Sequence, residues 1–290
     1  MTAPVEGLPP RPAAGHKGDF GTMAIVGGCH STDAVMLGAP VLAARAALRT
    51  GCGGAHMHLP GPLAVDALMQ LCEATFVPRP DDIIEARQRL AAAKCDAMVI
   101  GPGLGTGDDE GALVEGVLAN AGPPTVVDAD ALNALAASCT WQWPASRAVV
   151  LTPHPGEYAR LAVRLALPSA GDSSRSRLAA AVALAQSTHA VVVLKGYGTV
   201  VAAPDRQPWV CDRGGPELAV PGSGDVLAGI LAAVIALRAK AGLDDLFEAS
   251  KTAVWLHALA GERHARDNGP CGMLASELAD QVPHVLKALQ

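Results

Sequence analysis

Near the C-terminal third of the chain, Val220-Pro221-Gly222-Ser223-Gly224-Asp225 runs straight into the apolar stretch Val226 to Leu237. Small residues, then a carboxylate, then a helix suit phosphoryl transfer. Backbone N–H groups at a helix start lack internal partners and point outward, and the helix dipole makes that spot electropositive. The amides of Gly222, Ser223 and Gly224 are therefore candidate phosphate donors, and Asp225 sits where an acceptor hydroxyl would lose its proton. The competing reading is that Asp225 only caps the helix.

Five more segments place polar or glycine-rich chemistry directly after short apolar runs. They are Gly27-Gly28 leading to Gly38-Ala39-Pro40, then Gly101 to Gly105, Asp128 to Asn133, Thr152 to Glu157, and Lys195 to Thr199. In open α/β sheets, ligands bind beyond the C-terminal ends of the strands. Five such segments plus the Gly222–Asp225 turn therefore predict a crevice along one sheet edge. Two familiar phosphate loops are excluded by spacing. No Gly-x4-Gly-Lys-Ser/Thr string occurs, and Gly103-x-Gly105-x-Gly107 misses the dinucleotide fingerprint by one residue.

The elements that must hold these segments follow from the hydrophobic pattern. Strands are predicted at Met23–Val26, Ala55–Leu59, Ala74–Val77, Ala97–Ile100, Thr125–Val127, Ala148–Leu151, Val191–Leu194 and Thr199–Ala202. Helical patterns lie between them at Pro40–Thr50, Pro62–Leu71, Ile83–Lys94, Glu110–Ala121, Ala131–Ala137, Gly156–Leu165 and Ser176–Ser187, and beyond them at Asp225–Leu237 and Leu246–Arg266. Strands such as Ala97–Ile100 lack polar alternation, as expected when helices cover both sheet faces. The order implies a three-layer α/β/α architecture with a mostly parallel sheet, and Val191–Leu194 with Thr199–Ala202 form an antiparallel hairpin at one edge. Residues 1–15 are expected to be a loose tail, residues 16–290 one domain, and Arg164–Ser174 a mobile surface loop.

Composition narrows the partners. Of 290 residues, 50% are hydrophobic and 17% charged, which allows a large core. Aromatics at 3% and a net charge of −6 argue against nucleic acid, which asks for stacking platforms and cations. No apolar run reaches the length of a membrane span. Cysteines 29, 52, 72, 95, 139, 211 and 271 are scattered without a Cys-x-x-Cys pair, so they read as small hydrophobes in a reducing cytoplasm. Other polar pairs read as ordinary surface: His56-x-His58 as a polar strand edge, His257 and His264 on an exposed helix face, Arg45 and Arg49 as a solvated i,i+4 pair. For Asp130, helix capping is the favoured role. Low charge and apolar helix surface are compatible with a homo-oligomer, such as a tetramer.

Taken together in order, His16-Lys-Gly-Asp-Phe-Gly21, Gly38-Ala-Pro40, Leu48-Arg-Thr-Gly51, Gly101-Pro-Gly-Leu-Gly105 and Val127-Asp-Ala-Asp-Ala-Leu-Asn133 resemble the NAD(P)H-hydrate dehydratases. So do Leu151-Thr-Pro-His-Pro-Gly-Glu157, Lys195-Gly196, Gly222-Ser-Gly-Asp225 and Gly272-Met-Leu-Ala-Ser276. The resemblance covers about residues 16 to 285 and implies a ribokinase-like fold. It implies a cytoplasmic enzyme repairing hydrated nicotinamide cofactors, with ADP or ATP as phosphoryl donor and Mg²⁺ on the nucleotide. By matching positions, Ala39, Gly103, Gly105, His154 and Asp225 would contact NAD(P)H hydrate. Lys195, Gly196, Tyr197, Gly198, Thr199 and Gly224 would face the nucleotide, Asp225 would be the general base, and Glu157 would hold the metal's water shell.

The lead-in to the turn departs from that family. Relatives carry Asn-Pro-Gly-Met-Ala-Thr before Gly-Gly-Thr-Gly-Asp, whereas this chain has Gly215-Pro-Glu-Leu-Ala-Val220 before Pro221-Gly-Ser-Gly-Asp225. Pro221 removes one N–H donor, and Glu217 adds a carboxylate beside the nucleotide. Two other functions therefore stay open: a vitamin-precursor kinase of the same fold, and a catalytically weak relative that binds nucleotide without turnover.

Overall fold

The computed structural model describes residues 5–32, 34–138, 143–144, 146–171 and 173–289. Cys139 lies outside them. The chain begins with β1 (Thr22–Val26), a small hairpin of β2 (Cys29–His30) and β3 (Val35–Met36), then α1 (Gly38–Thr50), β4 (Gly54–Pro60), α2 (Ala64–Gln70) and β5 (Thr75–Arg79). Next come α3 (Ile83–Ala91), β6 (Ala97–Ile100), α4 (Asp108–Leu118), β7 (Thr125–Val127), α5 (Asp130–Ala137), β8 (Val149–Leu151), α6 (Pro155–Leu165) and α7 (Ser174–Thr188). The last part holds β9 (Val191–Leu194), β10 (Val200–Ala202), β11 (Trp209–Val210), α8 (Ser223–Lys240), α9 (Leu246–Asn268) and α10 (Ala275–Leu289).

Nine strands form one sheet in the order β11-β10-β9-β8-β7-β6-β1-β4-β5. Strands β5 through β9 of that order pair in parallel, and β10 and β11 add antiparallel. The expected β9–β10 hairpin is present, but β11 rather than β10 is the edge. This is the mostly parallel arrangement expected from the sequence. Alternate residues of each strand feed two cores. Met23, Ile25, Met57 and Val99 pack with α1, α8, α9 and α10, while Ala24, Val26, Met98 and Ile100 pack with α3 to α7.

The central helix α8 is buried nearly throughout, which its continuous apolar sequence demands. It lies close against the alanine-rich α1, where a Cβ on Gly229 would fall 2.1 Å from the Ala43 carbonyl oxygen. That contact fixes how far the start of α8 projects toward the C-terminal end of the sheet. The order reverses between β1 and β6, the point where such sheets open a crevice.

Three local expectations change. Residues 5–15 are docked rather than loose: the Thr252 hydroxyl donates to Glu6 O, Arg238 pairs with the Glu6 carboxylate at 2.6 Å, and Arg11 lies over the Phe20 ring. The segment after α6 is also anchored, with Ala170 buried and the Tyr158 hydroxyl donating to Pro168 O. His56 and His58 lie on β4, between β1 and β5, so they are not at a sheet edge; burial pushes His58 down to about 4.

Candidate active site

Five loops converge at the C-terminal end of the sheet, and close backbone packing holds them. Gly101 has φ +124°, and a Cβ there would lie 1.8 Å from the Asp128 carbonyl oxygen, so only glycine lets the loops after β6 and β7 meet. Gly28 N–H donates to Pro102 O at 3.0 Å, which ties the loop after β1 to the loop after β6. Between Asp128 and Asp130, Ala129 sits at φ 50°, ψ −121°, a strained conformation for a residue with a side chain. The strain aims the two acids at different partners. Asp128 turns down to the Thr152 hydroxyl (2.7 Å) and the Lys195 ammonium (2.6 Å), while Asp130 accepts the Gly105 N–H at 2.9 Å. Asp130 is therefore not a cap of its own helix, as had been expected, but a brace for the Gly101–Gly105 loop.

α8 begins at Ser223, behind Gly222 in a left-handed conformation at φ 87°, and no side chain caps it. The capping reading of Asp225 fails for that reason. Its carboxylate has no hydrogen-bond partner among the described residues. The N–H groups of Gly222, Gly224 and Asp225 also have no acceptor there, whereas Ser223 N–H is spent on Val220 O at 3.2 Å. The open amide set is thus Gly222, Gly224 and Asp225, not the Gly222–Gly224 triplet expected from the sequence.

Three carboxylates crowd one cation. The Lys195 ammonium touches Asp128 and lies 3.7 Å from Glu157, so the lysine is a buried partner rather than a solvated strand end. Burial alone would lower its pKa, but Asp128 and Glu157 together outweigh that and raise it, so it stays charged. Burial pushes the Asp225 carboxyl up to about 7, with Asp128 adding to the push and Lys195 opposing it. Glu157 is likewise lifted to about 7 by burial, against the pull of Lys195. Two acids poised near neutrality beside one lysine can hold and release a proton at ordinary pH.

His154 caps α6: its Nδ1 accepts from Gly156 N–H at 2.9 Å, and Glu157 Oε2 accepts His154 N–H at 2.7 Å. Burial and the nearby Lys195 lower its pKa, so the ring is neutral with its proton on Nε2. Half of that side chain stays exposed, 51%, at the rim of the site.

A cavity of about 540 Å³ opens beside these residues. Lys195, Gly196, Tyr197, Gly198, Thr199 and Gly224 all line it, together with His154 and Ser223. Its far wall is apolar, from Leu218, Leu227, Val254 and Ala258, which suits a flat heterocycle. Ala39, Gly103 and Gly105 lie outside that cavity. They gather on the other side, where a Cβ on Gly103 would come 3.5 Å from Ala39 Cβ and one on Gly105 would come 3.7 Å from Cys29 Cβ. Asp225 senses both sides, since Lys195 and Asp130 each act on its charge.

His257, expected on the surface, is buried and lines the cavity, with Nε2 3.1 Å from Ser223 Oγ; His264 is buried too. The signal was available in the unbroken apolar company of Val254-Trp255-Leu256-His257-Ala258. Arg45 and Arg49 keep a solvated face, as expected, and in addition share Asp280 of α10 at 2.5 and 2.8 Å. Glu217 is buried and accepts Gly215 N–H at 2.8 Å, so its carboxylate is turned from the cavity that Pro216 and Leu218 line. Among the described residues no group of three or more His, Cys, Asp or Glu side chains is arranged to hold a metal ion.

Residues 23–284 match the family model described as NAD(P)H-hydrate dehydratase. The chain belongs to that family. It is 38% identical over 91% of its length to an ADP-dependent (S)-NAD(P)H-hydrate dehydratase of Neisseria meningitidis, covering 84% of that protein. It is also 38% identical to a bifunctional NAD(P)H-hydrate repair enzyme of Moorella thermoacetica, with 98% of this chain aligned, and spans only 52% of that longer relative. Among solved structures, the ADP/ATP-dependent NAD(P)H-hydrate dehydratase from Bacillus subtilis, co-crystallised with ATP/Mg²⁺, superposes with a TM-score of 0.81 at 30% identity, covering 98% of this chain and 95% of that one. A hydroxyethylthiazole kinase from Pyrococcus horikoshii, at 14% identity and a TM-score of 0.59, covers 92% of this chain and 89% of that one and shares the fold alone.

Proposed function

We propose that this family member dehydrates NAD(P)H hydrate with ADP, or ATP, as phosphoryl donor. The observation that carries the reading is the start of α8. There a proton-hungry carboxylate, Asp225, stands beside unpartnered amides, with the Lys195–Thr199 cavity on one side and the loops carrying Ala39, Gly103 and Gly105 on the other. The nucleotide occupies the cavity with its terminal phosphate at the amides of Gly222 and Gly224. NAD(P)H hydrate lies against Ala39, Gly103 and Gly105 with its ring hydroxyl toward Asp225.

Asp225 takes the hydroxyl proton as the oxygen attacks the terminal phosphorus of ADP; the bond to the bridging oxygen breaks and AMP leaves. The phosphate group then departs from the ring carbon with its bonding electrons, and loss of a neighbouring ring proton restores the dihydronicotinamide. The amides stabilise charge on the transferring group; one such donor is worth about a hundredfold in rate or more. Lys195 keeps Asp128 and Glu157 neutralised so that incoming phosphates are not repelled.

The donor set fits Mg²⁺ carried by nucleotide phosphates and not caged by protein, which is how that ion is usually held. Both Glu157 oxygens are engaged by His154, one with its N–H at 2.7 Å and one 3.4 Å from its ring, so Glu157 acts on the ion only through water. When bound, the ion supplies charge neutralisation for phosphoryl transfer. The burial of Glu217 on Gly215 N–H weakens one of the two arguments for an inert relative, and the missing N–H of Pro221 is the other.

The test is direct: purified protein, hydrated NADH and Mg²⁺ with ADP or ATP, following absorbance of the restored dihydronicotinamide and release of AMP from ADP, or of ADP from ATP. Recovery with one such nucleotide product per NADH supports the reading. ATP-dependent phosphorylation of a vitamin-precursor alcohol with no NADH recovered makes the protein a kinase. Nucleotide binding with neither reaction makes it the inert relative.

A further inference from the structure

We propose that His257 is a positioning residue that turns the Ser223 hydroxyl into a proton donor for the transferring phosphoryl group. The inference rests on the function proposed above and names two side chains for which that function gave no role. Ser223 stands at the first position of α8 and lines the cavity, yet its N–H is already committed to Val220 O. Its one remaining donor is the hydroxyl.

The hydrogen-bond geometry settles which way that hydroxyl works. His257 Nε2 lies 3.0 Å from the Ser223 carbonyl oxygen and 3.1 Å from Ser223 Oγ. A carbonyl oxygen can only accept, so Nε2 carries the proton and shares it between the two oxygens. Ser223 Oγ is therefore an acceptor toward His257, and its own proton is left to point elsewhere. It has no other partner among the described residues. Ser223 and its neighbour Gly224 both line the cavity, so the hydroxyl can turn its free proton toward the place where the phosphoryl group arrives.

His257 is suited to hold this arrangement without joining the chemistry. It sits midway along the 23-residue α9, which packs on α8, so its ring is placed by two rigid elements. Burial holds its pKa down to about 4, and Lys195 adds to that, so the ring stays neutral and the proton stays on Nε2 across the working range. A second charge next to Lys195 is thereby avoided.

A double-mutant cycle tests the coupling. The variants are Ser223→Ala, His257→Leu, the pair, and His257→Gln, whose amide N–H can replace the Nε2–H. Two readouts are used: kcat for NADH recovery, and affinity for orthovanadate in the presence of AMP, which probes the phosphoryl site without the hydrate. Ser223→Ala and His257→Leu are each expected to lower kcat and vanadate affinity by about tenfold or more, in line with loss of an oriented donor. Affinity for ADP should stay within about threefold. The double variant should be no worse than the worse single, because both act through one hydroxyl. His257→Gln should stay within about threefold of wild type.

Multiplicative effects in the double variant would overturn the inference. So would a folded His257→Gln as impaired as His257→Leu, or a defect in ADP affinity alone, which would make His257 part of the heterocycle wall. Should His257→Leu fail to melt cooperatively, His257→Gln and its combination with Ser223→Ala carry the same comparison. A wild type that binds vanadate without restoring NADH rejects the proposed reaction but leaves the cycle readable; failure to bind vanadate rejects the inference itself.

Discussion

The two ends of the sheet use the same kinds of residue in opposite ways. At the N-terminal end, Asp96 accepts the Thr22 N–H at 2.8 Å and pairs with Lys240 at 2.9 Å, with both side chains partly in water. That is a stabilising arrangement of ordinary size, and Lys240 also complements the negative end of α8. At the C-terminal end, Asp128, Glu157 and Asp225 are packed round Lys195, two of them lifted to about 7, and Ala129 is strained between its acidic neighbours. One helix, α8, joins the two ends. Its tail is charged for stability and its head is left uncapped. The difference teaches where the chain gives up stability to keep donors and acceptors open, as functional sites do.

Substitutions sharpen that contrast. Asp225→Asn is expected to lower kcat about a thousandfold by removing the general base, while ADP binding persists in calorimetry. The same variant should melt higher than wild type at pH 8. A carboxyl with a folded pKa raised above its unfolded value destabilises the fold once pH exceeds the unfolded value. Its penalty grows by about 1.4 kcal/mol per pH unit up to the folded pKa. The gain in melting temperature should vanish below pH 4, where both forms are neutral.

Lys195→Met comes next. It should cut kcat/KM about a hundredfold and, unlike Asp225→Asn, lower the melting temperature, because it strands buried Asp128 without its cation. Ala129→Gly should relieve about 1 kcal/mol of backbone strain, raising stability slightly while reducing kcat severalfold as the two acids lose their fixed aim. The smallest effect belongs to the other end: Asp96→Asn should lower stability by about 1 kcal/mol or less and leave kcat unchanged. Equal kinetic damage from Asp96→Asn and Lys195→Met would erase the distinction between the two ends.

The parallel core was readable because its strands are short β-branched runs with no competing pattern. Ala97–Ile100, Thr125–Val127 and Val191–Leu194 have the bounds expected of them. The two-residue strands β2, β3 and β11 carry too little pattern to be read. Helix α10 is not legible locally, since it holds Pro283 in its interior, where a proline ordinarily breaks a helix. In the site, the position of each loop was legible, since turn residues follow each strand. The pairings were not. Lys195 and Asp128 are 67 residues apart and Ser223 and His257 are 34 apart, and only the folded sheet brings them together. Nor does an alanine announce a positive φ, so the divergent aim of Asp128 and Asp130 was invisible before the backbone was known.

The pH dependence of kcat/KM for NADH recovery tests the role of Asp225 most directly. The base must be ionised, and the Asp225–Glu157 pair shares Lys195, so the rate should rise with pH through an apparent midpoint near 7 and level off above it. A rate independent of pH from 5 to 8, in a protein that remains folded, would contradict a buried carboxylate at the head of α8 as the group that takes the proton.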